Sequence, residues 1–383
     1  MIISNPTRHT RLIDENLQVI DCNPKDFLSF DLLRNASLDN HIYNSRFMVQ
    51  RPDKHKPVLD GLIPLPPRSR WYYSDGKFSP IRRSKNLTQL NNEKIKKNIQ
   101  KLANTLSNPN LAIESSGGLD CSLVIGALMS YQVDPVLVGV VSDRYEFRTE
   151  RIIQENIGKT VSKWIPIQED LTLPFSDLNY VPPHLLPNKS SLFYKYPLET
   201  MRICKKNNIK IILNGMGFDT ILIDKINESN LIPTNWHPWS HEDSWFNEYV
   251  YRPNGIDYRS ASSVWRIIEI IYCLREGLEE DPQKKWARRY FSNWLPLELS
   301  DFTYKADGLR VFISGIESNE ESILELCRRS YSVNMDQRIS PNQILTLITR
   351  ESQFDDKNQL ELMSRISFAV WINSRLSNQT FSN

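Results

Sequence analysis

The chain has 383 residues, 24% charged and 40% hydrophobic, with a formal net charge of +2, the balance of a globular protein of two domains or one large one. Near-neutrality argues against a nucleic-acid binder that works by bulk electrostatics, and no apolar run is long enough to cross a bilayer. The five scattered cysteines (Cys22, Cys121, Cys204, Cys273, Cys327) contain no Cys-x-x-Cys pair, and Met1 to Pro6 starts no secretory signal, so a reduced, cytoplasmic protein is expected.

Residues 1 to about 88 lack clear periodicity and carry the cluster Pro64-Leu65-Pro66-Pro67 within a basic stretch, Arg51 to Leu90. Trp71-Tyr72-Tyr73, then Ser74-Asp75-Gly76-Lys77-Phe78, reads as two short strands around an Asp-Gly turn. Ile95, Ile99, Leu102 and Leu106 fall at helical spacing. Strand and helix then alternate. Strands are expected at 110–115, 136–141, 163–167 and 209–213, with helices at about 122–131, 147–158 and 194–207. Near-continuous apolar strands separated by helices predict a parallel sheet covered on both faces, with ligands bound beyond its carboxyl edge. Beyond residue 255 the pattern is mostly helical: 262–278, 284–291, 322–332, 340–350 and 356–376.

Ser116-Gly117-Gly118-Leu119-Asp120-Cys121-Ser122 lies where the first of these strands meets its helix. Two glycines let the backbone turn tightly and approach a phosphate without a Cβ in the way. The helix start adds N–H donors and the positive end of the dipole. Ser116 can donate a hydroxyl, and Asp120 can hold the Mg²⁺ that accompanies a polyphosphate. A plain strand-to-helix turn is the simpler alternative. A second glycine pair, Asn214-Gly215-Met216-Gly217-Phe218-Asp219, ends the last core strand. In a parallel sheet Asp120 and Asp219 can lie on one edge and share a metal, although an Asp after a strand also serves as a helix N-cap. Gly158-Lys159-Thr160 mimics the end of a Walker A loop, but Ile153 stands where a glycine is needed, so it reads as a helix C-cap. Asp143 and Glu146 read equally well as helix caps, and His184 as a loop residue or a substrate contact.

The first loop resembles the Ser-Gly-Gly-x-Asp-Ser pyrophosphate loop of the N-type ATP pyrophosphatases, with Cys121 where that family usually has serine. The second resembles the Gly-x-Gly-x-Asp-Glu segment of the asparagine synthetase-like enzymes, with Thr220 in place of the Glu. The residue between its glycines is Met216, a thioether that cannot take a proton at neutral pH, so a general base for an amine must come from elsewhere. Trp294-Leu295-Pro296 followed by Phe302-Thr303-Tyr304-Lys305-Ala306-Asp307-Gly308 resembles the late lysine region of the same superfamily. The resemblance covers about 90 to 310. It implies an α/β fold with a parallel-sheet ATP pyrophosphatase (adenine nucleotide α-hydrolase-like) core and a helical C-terminal part. Residues 89–383 would form the amide ligase domain, and 1–88 a truncated, β-rich remnant of a glutaminase-like domain, since Ile2 stands where the glutaminase nucleophile is Cys.

By the same resemblance ATP and pyrophosphate are held by Ser116, Gly117, Gly118, Leu119, Asp120, Cys121, Ser122, Val140, Gly215 and Gly217. Asp120 and Asp219 bind Mg²⁺, and Lys305 with Asp120 carries catalysis. A fixed cation at developing negative charge is worth on the order of 3 kcal/mol. The implied reaction adenylates a carboxylate, releases pyrophosphate and joins the acyl group to an amine. Among branches without glutaminase activity, the spacing around Pro182-Pro183-His184 looks most like the lasso-peptide macrolactam synthetases. That implies a precursor peptide as substrate, with a leader-peptide-binding protein and a cysteine protease as partners. Trp71, Tyr72, Tyr73, Trp236, Trp239 and Trp245 suit a peptide groove or a core. The alternatives are a degenerate nucleotide-binding scaffold, and an asparagine or β-lactam synthetase-like ligase acting on a small molecule. An RNA-modifying pyrophosphatase is disfavoured, because paired catalytic cysteines and a strong basic field are missing.

Overall fold

The computed structural model describes residues 1–5, 11–14, 16–20, 33–39, 41, 58–59, 62–65, 69–80, 110–129, 134–215, 226–227, 232–233, 244–260, 284–285, 288, 308–349 and 356–379. In the N-terminal part β1 (Ile2–Asn5), β2 (Arg11–Ile13), β3 (Val19–Ile20), β4 (Ile63–Leu65), β5 (Ser69–Ser74) and β6 (Lys77–Pro80) form two antiparallel three-stranded sheets. The Asp-Gly turn is there: Asp75 and Gly76 have φ of 51° and 73°, and Ser74 pairs with Lys77 across them. Two left-handed residues make the primed turn whose twist matches the strands it joins.

The core alternates strand and helix: β7 (Leu111–Glu114), α1 (Leu119–Met129), β8 (Val136–Val141), α2 (Arg148–Gly158), β9 (Trp164–Gln168), α3 (Lys195–Lys206) and β10 (Ile211–Asn214). After two short paired strands, β11 (Ile226–Asn227) and β12 (Ile232–Pro233), the chain adds β13 (Asp257–Ser260) at the sheet edge. All pairings in this five-stranded sheet are parallel, in the order β13-β10-β7-β8-β9. The chain moves outward from β7 to β9, then returns to the other side of β7 at β10. Right-handed crossovers therefore put α1 and α2 on one face and α3 on the other. The pleat agrees: Ala112, Val138, Ile167 and Ile212 share a buried cluster with Met201 and Cys204 of α3. The reversal between β7 and β10 is a topological switch point, and it opens a crevice at their carboxyl ends.

The C-terminal part is helical: α4 (Leu309–Asn334), α5 (Pro341–Thr349) and α6 (Asp356–Gln379). Phe312, Ile316, Ile323, Ile344, Leu362 and Ile366 extend the cluster that covers the α3 face. A separate cluster joins Leu12, Leu33, Leu38, Val58 and Leu59 of the N-terminal part to Val333, Ile339, Phe368 and Trp371. Asn334 at the end of α4 donates its amide to the carbonyls of Leu33, Arg34 and Ala36. The fold is α/β, with a parallel core, a helical C-terminal part and a β-rich N-terminal segment. No helix among the described residues is long and apolar enough to cross a membrane.

The expected core strands are all present within two residues of their expected ends. β13 was not expected: Asp257-Tyr258-Arg259-Ser260 holds three polar residues and one aromatic, alternates in burial, and lacks the apolar run that marks a central parallel strand. The predicted helix around 95–106, the one at 262–278 and most of 284–291 lie outside the described residues. Gly158 ends α2, and its carboxyl end is closed by the Lys159 and Thr160 N–H groups, as the C-cap reading expects.

Candidate functional site

The Ser116–Ser122 loop connects β7 to α1 at the switch point. Gly117 has φ +74°, and a Cβ there would sit 2.4 Å from the Glu150 carbonyl oxygen, so both conformation and space require glycine. Gly215, at the exit of β10, packs on the first turn of α1, where a Cβ would come within 2.7 Å of the Cys121 nitrogen. That close approach is what joins the two sequence-distant glycine loops. Gly217, Asp219 and Lys305 lie outside the described residues.

Inside the loop, Ser116 Oγ accepts from the Gly118 N–H at 3.3 Å and donates to Cys121 Sγ at 3.5 Å. Burial raises the Cys121 thiol above its ordinary value, which keeps it neutral. Ser122 is buried, and its hydroxyl donates to the Gly118 carbonyl at 2.9 Å. Its proton is therefore engaged within the loop. The Ser116 hydroxyl is engaged in the same way by Cys121, so the loop offers a ligand chiefly the first-turn N–H groups of α1, which have no partner within a helix.

Asp120, in that first turn, is ion-paired with Lys284: Nζ lies 2.6 Å from Oδ1, and both side chains are mostly buried. One turn further, the Arg288 N–H bonds the Lys284 carbonyl, and its guanidinium is lowered by burial while Asp120 partly offsets the shift. Lys284 and Arg288 were missed by the sequence reading, although the i, i+4 spacing of the two cations ahead of the late lysine region was a usable signal. The arrangement fits a polyphosphate: a glycine turn, a helix N-terminus and two cations meet around one carboxylate. For a metal the described donor set is thin. No group of three or more His, Cys, Asp or Glu is placed to hold a metal ion among the described residues, so Asp120 would need phosphate oxygens or Asp219 to complete a shell.

Beside the loop, a cleft of about 280 Å³ runs across the carboxyl ends of β7, β8 and β9. Ser115, Val140, Phe147, Gln154, Glu169 and Thr172 are among its walls. Gln154 donates one amide to both the Ser115 and Val140 carbonyls, at 2.8 and 2.9 Å, and so ties β7 to β8 below the cleft. Gly139 allows this closeness, since a Cβ there would lie 2.0 Å from the Ser115 carbonyl oxygen. Glu114, at the end of β7, accepts hydroxyls from Tyr196 and, at 3.0 Å, from Tyr258. Burial, reinforced by Glu114, pushes Tyr196 well above the usual tyrosine range, so it stays a protonated donor.

Other expected contacts lie elsewhere. His184 is fully buried: its Nδ1 meets the Pro182 carbonyl at 3.0 Å, its ring packs on Trp245 and Tyr249, and burial lowers its pKa to about 3. It is a neutral core residue rather than a substrate contact. Trp71 and Trp245 are likewise core, whereas Tyr72 is half-exposed on its hairpin. Trp236 and Trp239 lie outside the described residues. Asp143 pairs with Arg151 instead of capping α2. Cys121, Cys204 and Cys327 are buried and unbridged.

No protein-family model matches this sequence, and no curated protein matches it. Among solved structures, the NMN synthetase from Francisella tularensis is similar over 55% of this chain and 76% of its own length, at 10% identity and a TM-score of 0.31.

Proposed function

We propose that this protein is an ATP-dependent ligase that adenylates a carboxylate, releases pyrophosphate and passes the acyl group to an amine. The observation that carries the reading is the Ser116–Ser122 loop at a parallel-sheet switch point, with Asp120 in the first turn of α1 beside Lys284 and Arg288. The loop backbone and the two cations would hold the β- and γ-phosphates and then the leaving pyrophosphate. Asp120, with Asp219, would hold Mg²⁺, which neutralises charge on the phosphate oxygens. Lys305 would meet the oxyanion that forms as the amine attacks.

The substrate we propose is a lasso-type precursor peptide whose own amine closes a macrolactam on an activated Asp or Glu side chain. Holding both ends of one chain supplies much of the rate through proximity. A leader-peptide-binding protein and a cysteine protease would be its partners, in the cytoplasm, with residues 1–88 as a glutaminase-like remnant and 89–383 as the ligase domain. With candidate peptide, ATP and Mg²⁺, we expect AMP and pyrophosphate in equal amounts; ADP would overturn the mechanism. Pyrophosphate exchange separates the half-reactions. Lys305→Ala should retain some exchange while losing cyclised product, whereas Asp120→Asn should lose both.

A second reading has its own observation. Lys284 already neutralises Asp120, as it would in a nucleotide-binding scaffold without turnover. Biological output that survives Asp120→Asn would favour the scaffold.

A further inference from the structure

The cleft and the loop differ in charge. Cations gather at Asp120 of the loop, whereas the cleft walls carry Glu114, Glu150 and Glu169 with Arg151 as their cation. Arg151 is held by Asp143 and Glu155. An acidic wall repels phosphate and favours the part of a ligand that bears neutral hydrogen-bond donors. Two polar atoms in this wall are buried without a protein partner among the described residues: Ser115 Oγ and Glu169 Oε2. Glu169 is not loose, because Arg144 grips its other oxygen, Oε1, and only 11% of its side chain is exposed. A buried carboxylate oxygen left unpaired costs free energy unless something arrives to donate to it.

Ser115 follows β7 and Glu169 follows β9, with β8 between them. Two strand spacings separate those ends by about 10 Å. One hydroxyl cannot satisfy both, but a group the size of a nucleoside spans that distance.

We infer that Glu169 is a specificity-determining residue for the nucleoside end of the nucleotide, accepting on Oε2 a hydrogen bond from a ligand O–H or N–H, with Ser115 as the second contact. Arg144 is its positioning partner. The inference rests on the proposed ATP site, whose loop holds the phosphates while this cleft holds the sugar and base. The donor is a ribose hydroxyl or the adenine 6-amino group, and the ligands below tell them apart.

The test is calorimetric binding of Mg·ATP to the full chain without peptide, comparing wild type, Glu169→Gln and Asp120→Asn. Glu169→Gln presents an amide where the acceptor was and should weaken ATP about 10- to 100-fold. The same titrations with 2′-deoxy-ATP, 3′-deoxy-ATP and the triphosphate of purine riboside assign the donor. The analogue that lacks it should bind wild type as weakly as ATP binds Glu169→Gln, and should lose nothing more in the variant. Should Glu169→Gln fail to fold, Glu169→Asp, which keeps the charge but withdraws it by one methylene, carries the same comparison. If the variant binds ATP and every analogue as wild type does, while Asp120→Asn loses ATP, the role of Glu169 is overturned and the ATP site stands. If folded wild type binds no ATP, both fall.

Discussion

The sheet's carboxyl edge and the seam between the N-terminal part and α6 both bury polar groups, but in different surroundings. Both leave some of them without a hydrogen-bond partner among the described residues: His41 Nδ1 and His184 Nε2 at the seam, Ser115 Oγ and Glu169 Oε2 at the edge. At the seam, His41 Nε2 shares a hydrogen bond with Ser367 Oγ at 2.8 Å, and the His184 carbonyl takes the indole N–H of Trp371 and the guanidinium of Arg375. The histidine rings lie against Phe368 and Trp245, and burial lowers both to about pKa 3. At the edge, Ser115 and Glu169 keep polar atoms aside in an open cleft, and Asp120 is held by a lysine that a ligand can compete for. A buried polar atom facing packed aromatic rings is a cost of folding; one facing a cleft is a place for a ligand. Burial alone does not separate them, and what lies in front of the atom does.

The edge depends on backbone contacts that tolerate no added atom, so the largest expected effect is there. Gly139→Ala drives a Cβ to 2.0 Å from the Ser115 carbonyl oxygen and should cost about 3 kcal/mol or more in urea unfolding. A near-neutral Gly139→Ala would show that β7 and β8 are less tightly apposed than described. The Asp120–Lys284 pair should come next. Asp120→Asn or Lys284→Met alone leaves a mostly buried charge and should cost about 2 kcal/mol, while the double variant recovers part of the loss. Strict additivity in that cycle would mean the pair does not interact.

The seam responds to pH. His41 and His184 have folded pKa values of about 3, below the unfolded value of about 6.5, so the unfolded chain binds protons first as pH falls. Their contribution is complete above the unfolded value and declines below it, down towards pH 3. By pH 5.5 about 1.4 kcal/mol per histidine should be gone relative to pH 8. A melting temperature that stays flat over that range would show that the rings are not held neutral. The smallest effect belongs to Gly76, whose φ of +73° strains any replacement but whose surroundings are open. Gly76→Ala should cost about 1 kcal/mol, and a loss near that of Gly139→Ala would erase the distinction between conformation and close contact.

The alternating apolar strands, the helices between them, the Asp-Gly hairpin and the Ser-Gly-Gly loop were legible in the sequence because each is a local pattern. Near neighbours set the period of burial, the φ of a glycine and the start of a helix. The strand order was not legible, nor was β13, whose place at the edge comes from pairing with β10 rather than from its own residues. The bond from the Ser122 hydroxyl to Gly118 was not legible either, and His184 looked available until aromatic rings enclosed it. Lys284 meets Asp120 across 164 residues, Glu169 lines the same cleft as Ser116 from the end of another strand, and Glu114 takes hydroxyls from Tyr196 and Tyr258 of distant elements. The sequence determined where a phosphate-sized turn can form, because that is a matter of adjacent glycines and a helix start. Only the tertiary structure decided which charges stand around it, because a salt bridge or a cleft wall depends on distance in space.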